Sequence, residues 1–201
     1  MKLYSYVVAR DYGFAPNPFF GVCTLATCKP KIRGSADVGD WIIGTGSKQY
    51  CLDGRLVYAM KVSETLTYDE YWNDPRFSSK KPNLLGSLKQ AFGDNIYHRN
   101  AAGRWVQAIS HHSYSDGSPN RANIEHDTKS PRVLVGSEFA YWGGGGPKIP
   151  AGFRNRAGVD VCCVGQGHKC IFPENFVAAF VKWIQSRGES GYIGAPSEFG
   201  G

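Results

Sequence analysis

Glycine and proline interrupt this chain so often that no long helical framework can run through most of it. The 201 residues include 25 glycines and 11 prolines. Glycine suits turns and close backbone approaches, and it weakens helix interiors. What lies between the interruptions is short and largely β-like. Residues 3–10 (LYSYVVAR) alternate in the manner of a half-buried strand, and 22–28, 41–46 and 56–64 read as three more. Gly39-Asp40 marks a turn before the third of these, and Asp53-Gly54 marks a hairpin before the fourth.

Further along, Thr67-x-x-Glu70 forms a capping-box pattern that opens a short helix ending before Pro75. Leu84, Leu85, Leu88, Ala91 and Phe92 share one helical face across 83–92, with Gly93 as the stop. The segments NIYH and RWVQAISHH predict a hairpin about RNAAGR, and RVLVGSEFAYW and GVDVCCV predict strands. The last clear element is 173–188. There Phe176, Phe180, Trp183 and Ile184 make an apolar stripe, Pro173 suits the first turn and Gly188 the end. The tail beyond it, ESGYIGAPSEFGG, reads as loosely held. Roughly seven strands and three helices predict an α+β single domain over 1–201, built on a bent, mainly antiparallel sheet or small barrel.

Composition narrows the function classes. A hydrophobic content of 42% allows a real core. The net charge of +6 favours a phosphate-bearing partner, although solubility alone accounts for such a charge in many proteins. No apolar run approaches the ~20 residues that span a bilayer. Residues 1–10 lack a signal-peptide pattern, which predicts a cytoplasmic location and six reduced cysteines. Cys23 and Cys28, and the later group Cys162, Cys163, His168 and Cys170, are candidate zinc ligands by residue type. Their strand-like settings favour buried free thiols, so neither metal nor cofactor is expected. His111, His112, His126, Asp116 and Asp127 lie in a polar stretch that reads as a long exposed loop. That loop is either solvated or at the edge of a substrate, or else a metal site or a source of acid–base chemistry.

Two stretches carry a family resemblance. VGDWIIGTGSK (38–48) followed by GRLVYAMKVSETLTYDEYWNDPRF resembles the PUA-like superfamily, particularly its EVE and YTH-like branch. The run YSYVVARDYGFAPNPFFGVCTLATCKPKIR resembles the nucleotide modification associated domain, type two, of bacteria and phages. The resemblance implies a PUA-like barrel with inserted helices and a C-terminal helix. It also implies a link to modified bases in DNA or nucleotides, with a partner enzyme of a modification or defence system. It transfers no catalytic residues.

A bound base needs an aromatic face, donors and acceptors at its edge, and cations near its phosphate. For stacking, the candidates are Tyr12, Phe14, Phe19, Trp41, Tyr141 and Trp142; for the edge, Asp11, Asn17, Thr45, Ser47 and Asn83. Gly44 and Gly46 would let backbone approach the ligand, and Lys29, Lys31, Arg33 and Lys48 would meet phosphate. Each has a plainer reading: core packing for Trp41, turn closure for Thr45 and Ser47, an Asx turn for Asn17, a solvated connection for the cations. Two functions follow. A binding module for a modified base predicts an aromatic cage. An enzyme acting on a modified nucleotide or base predicts that Asp11, Asp40, His111 or His112 converge with shifted pKa values. A protein-interaction domain is the third, duller option.

Overall fold

The computed structural model describes residues 1–200. Its elements run β1 (Leu3–Val8), β2 (Cys23–Leu25), α1 (Pro30–Ser35), β3 (Trp41–Gly46), β4 (Leu56–Lys61), β5 (Glu64–Thr67), α2 (Tyr68–Asn73), α3 (Leu88–Ala91), β6 (Tyr97–Arg99), β7 (Trp105–Gln107), α4 (Arg121–Asp127), β8 (Arg132–Gly136), β9 (Glu138–Tyr141), β10 (His168–Lys169), α5 (Glu174–Ser186) and β11 (Gly191–Tyr192). The fold is α+β. It divides into two compact units: Met1–Tyr12, Ala36–Ser63 and Gly136–Gly201 form the first; Gly13–Ser35 and Glu64–Val135 form the second. No helix among the described residues is long and apolar enough to cross a membrane.

The first unit is a six-stranded sheet in the order β10-β1-β3-β4-β9-β11. It is mixed. β1 and β3 run parallel from Leu3↔Trp41 to Val8↔Gly46, while β4 pairs antiparallel with both β3 and β9. The order begins at β10 and ends at β11, so among the described residues the expected barrel does not close. Two-residue edge strands at both ends leave too little ladder to join. Leu3, Trp41, Ile43, Leu56 and Ala140 pack with Val177, Phe180 and Ile184 of α5 in one apolar cluster. The 3.6-residue spacing of α5 explains this directly, and each such buried side chain contributes about 1.5–3 kcal/mol. The predicted strand GVDVCCV is absent. Asp160 there accepts from Cys162 N and pairs with Arg154, which holds the segment in turns.

The tail is tied down, contrary to the sequence reading. β11 adds a parallel strand to β9, Glu189 accepts the Trp142 indole N–H at 2.8 Å, and Ser197 N donates to Asp11. Polar composition misled here because the anchors are backbone groups and buried aromatics far off in sequence.

The second unit carries the three-stranded sheet β2-β8-β5, the hairpin β6-β7 and α1 to α4. The hairpin and the Thr67–Glu70 capping box form as the sequence predicts. Pro30–Ser35, within the basic stretch read as a connection, form α1 instead. The helix predicted over 83–92 shrinks to the single turn of α3, and Leu85 is fully exposed. Asn83 closes a turn onto Leu85 N, so the backbone enters the helix only at Ser87. At the heart of this unit lies a lysine. Lys80 is buried, with Nζ donating to Asn17 O, Asn17 Oδ1, Val22 O and Thr24 Oγ1 at 2.8–3.2 Å. Asp94 lies in the same network, accepting from Thr24 and Tyr71 hydroxyls at 2.6 and 2.7 Å. Buried charge is tolerable only when bonded this fully.

Candidate active site

After β2 the chain turns sharply into α1, and Cys28 sits at the turn. Its φ is +55°, and Lys29 follows at +38°. Neither residue favours the left-handed region, which costs about 1–3 kcal/mol per residue and persists only where surroundings impose it. The surroundings are explicit. Cys28 N donates to Asp127 Oδ1 at 2.8 Å, and Cys28 O accepts from Arg33 Nε at 2.8 Å. Pro30 then opens α1 with its φ preset.

Two further side chains meet this cysteine. His112 Nε2 lies 3.8 Å from Cys28 Sγ, and His112 Nδ1 lies 2.8 Å from Asp127 Oδ2. Asp127 ends α4 and is fully buried. Tyr97 OH donates to the same Oδ2 at 2.9 Å, and His126 Nδ1 approaches Oδ1 at 3.2 Å. His112 is itself fixed: its carbonyl accepts from Asn123 Nδ2 at 2.9 Å and from Gln107 Nε2 at 3.2 Å. Thiol, imidazole and carboxylate thus form a chain in which the carboxylate orients the base and the base faces the thiol. Nucleophilic catalysis by cysteine requires that order, and resting enzymes commonly hold the first link loosely.

The electrostatics agree with the geometry. Burial works against a charge on His112, but the hydrogen bond to Asp127 and the contact with Cys28 outweigh it and lift the imidazole to about 9. Burial works against Asp127 too, yet the bond to His112, the charges of His112 and Arg33, and His126 hold its carboxyl below the usual carboxylate range. Both shifts describe one ion pair, present at neutral pH. Placed at the sulfur, His112 Nε2 is the atom through which a thiol proton can be exchanged. By contrast, burial pushes Cys23 up to about 12 and Cys162 up to about 11, which makes both thiols inert.

Beside His112 stands an aromatic wall. Phe14 lies 4.7 Å from the His112 ring and 5.3 Å from that of His111, and Phe92 lies 5.1 Å from His111. His111 is exposed, whereas Phe14 is buried. Among the described residues, no group of three or more His, Cys, Asp or Glu is set to hold a metal ion.

The chain so described matches, over residues 1–201, the family model of nucleotide modification associated domain 2. It belongs to that family. No curated protein and no solved structure matches it. Membership of nucleotide modification associated domain 2 names no catalytic residue.

The residues singled out from sequence are scattered over both units. Trp41, Tyr141 and Trp142 are buried in the first unit. There Trp41 and Trp142 pack in the α5 cluster, and Tyr141 donates its hydroxyl to Asp11. Thr45 Oγ1 donates to Tyr6 O at 3.2 Å, and Ser47 Oγ accepts from Gln49 N to cap a 3-10 turn at Lys48–Tyr50. Gly44 is empty of a Cβ because the Tyr58 ring and Val8 fill that space, and Leu52 does the same at Gly46. Backbone there approaches the protein's own side chains. Lys48 is exposed, and Tyr12 lies under the Arg10 guanidinium at 5.1 Å. Asp40 accepts from Lys2 N and Asp37 N, a structural duty.

In the second unit, Asn17 holds Lys80 and bonds Phe92 O, Phe19 is buried, and Asn83 closes its turn. Arg33 is wholly buried, donating to Asp127 O, Arg132 O, Cys28 O and Ser130 O at 2.5–2.9 Å. That geometry occupies the guanidinium with carbonyls and leaves no room for a phosphate. Lys31 is exposed and Lys29 half-buried. Of the set, Arg33 bonds Cys28 O, Phe14 packs against His112, and Lys29 and Lys31 follow Cys28 in sequence. The sequence reading weighs Cys28 only as a zinc ligand or free thiol and places Asp127 in the acid–base loop, without joining the two. The available signal was a cysteine between a β-rich run and a Lys-Pro helix start, together with a remote His and Asp.

Proposed function

We propose that this protein is a thiol-dependent enzyme acting on a modified base or nucleotide, with Cys28 as nucleophile, His112 as general base and acid, and Asp127 as the residue that orients His112. The observation that carries this reading is the placement of His112, bonded at Nδ1 to a buried carboxylate and facing Cys28 at Nε2. A base-binding module has no use for that relay, and the left-handed turn at Cys28 is strain of the kind found at nucleophiles. Family membership supports the substrate side: a modified base, in nucleic acid or as a free nucleotide.

The test is chemical. Iodoacetamide labelling, mapped by peptide mass spectrometry, should modify Cys28 at pH 7 faster than the exposed Cys51. Replacing His112 by Ala, or Asp127 by Asn, should slow labelling of Cys28 by about tenfold or more and leave Cys51 unchanged. Equal rates at Cys28 in all three proteins would return the chain to a binding role.

A further inference from the structure

The chemistry of this centre can be narrowed, on the reading just given, by asking which nitrogen handles the proton. His112 Nδ1 is committed to Asp127 and to nothing mobile. Nε2 alone faces the sulfur. A proton taken from Cys28 therefore resides on a nitrogen next to the carbon that the sulfur attacks. From there it can reach a leaving group departing from that same carbon. Acyl transfer needs this arrangement, because an amine or alkoxide must be protonated as it leaves. Addition of a thiol to a pyrimidine ring carbon needs no such delivery, since nothing leaves from the attacked carbon.

We infer that Cys28 attacks an acyl carbon, an amide or ester carbonyl carried on the modified nucleotide. In the first step the Sγ–C bond forms and the C–N or C–O bond breaks; the thiol proton passes through His112 Nε2 to the departing amine or alcohol, leaving a thioester on Cys28. In the second, water attacks the thioester and its proton goes to Nε2. The C–S bond breaks and the proton returns to the sulfur as a carboxylic acid is released. Net, one amide or ester plus water gives one acid plus one amine or alcohol, with no oxidant, reductant or metal.

The neighbourhood suits a nucleotide-borne acyl group. The exposed ring of His111, held edge-on by Phe14 at 5.3 Å and Phe92 at 5.1 Å, stands 6.1 Å from the His112 ring. A flat base lying against His111 brings a substituent within reach of Cys28. Lys31, exposed on α1 three residues after the nucleophile, supplies a cation for phosphate.

The experiment uses the full chain with two probes. 4-Nitrophenyl acetate should give a burst of about one equivalent of nitrophenol per chain, with one acetyl group mapped to Cys28 and no burst in Cys28→Ser. N4-acetyl-2′-deoxycytidine should be deacetylated, and His111→Ala should raise KM for it by about tenfold with kcat little changed, the loss of one stacked ring. If Cys28 is not acylated while its iodoacetamide labelling still depends on His112, the acyl inference falls and the thiol enzyme stands. A Cys28 adduct with an oligonucleotide carrying 5-fluorocytosine, without acylation, also overturns it in favour of ring addition. Labelling indifferent to His112 overturns both readings.

Discussion

Arg33 shows how one side chain can serve a site without touching substrate. The sequence places it in a basic stretch, where a phosphate partner is the natural expectation. In the fold its donors gather carbonyls from the nucleophile turn, from the end of α4 and from the start of β8. It is a positioning residue: it joins the backbone of Cys28 to the backbone of Asp127. Arg33→Met fills much of the volume but strands four buried acceptors. The expected cost is about 3–5 kcal/mol of stability, read from urea unfolding, since a buried polar group left alone loses its full desolvation energy. A phosphate-binding surface arginine would change stability by no more than about 0.5 kcal/mol, so the same measurement separates the two roles.

At the scale of elements, the second unit contains two cations, His112 and Lys80, whose titrations oppose each other. His112 is raised from its ordinary 6.5 to about 9, so the folded state binds the extra proton in that interval. Its contribution is complete below 6.5 and is lost as pH rises through 9. Burial lowers Lys80 from 10.5 to about 8, so between those values the unfolded chain holds the extra proton and stability rises with pH. Hydrogen-exchange protection of β2 and α1 should therefore fall from pH 6.5 to 8, then flatten as Lys80 begins to compensate. In His112→Gln the fall should vanish, and in Lys80→Met it should continue to pH 9. The elements themselves were unequally legible. α5 was readable because its apolar stripe, Pro173 and Gly188 all pointed the same way. α3 was not, because Asn83 and Ser87 redirect the backbone and leave the leucines outside. The polar run 110–127 read as a loop, yet its end is α4, and Asp127 is buried. One of its partners, the Cys28 amide, is 99 residues away, a distance at which periodicity says nothing. The strand 41–46 was read correctly as a strand, but its glycines answer to Tyr58 and Leu52.

For the whole molecule, the C-terminal segment closes the first unit. It joins β9 through β11, bonds the Trp142 indole, and meets Asp11, while Glu198 accepts from Tyr50 OH. A chain ending at Gly188 exposes Tyr141 and Trp142 and leaves the Asp11 carboxylate with fewer donors. The expected loss is about 2–4 kcal/mol, visible as a lower Tm and increased tryptophan quenching by acrylamide. The two units alternate along the sequence: the first begins at Met1, yields twice to the second, and resumes at Gly136. During synthesis, which delivers the N-terminus first, every residue of the second unit has left the ribosome once Val135 has, while β9, β10, α5 and β11 are still unmade. A nascent chain thus acquires its thiol centre before its six-stranded sheet can be completed, and translation arrested in the last third would release a reactive cysteine on a half-built protein.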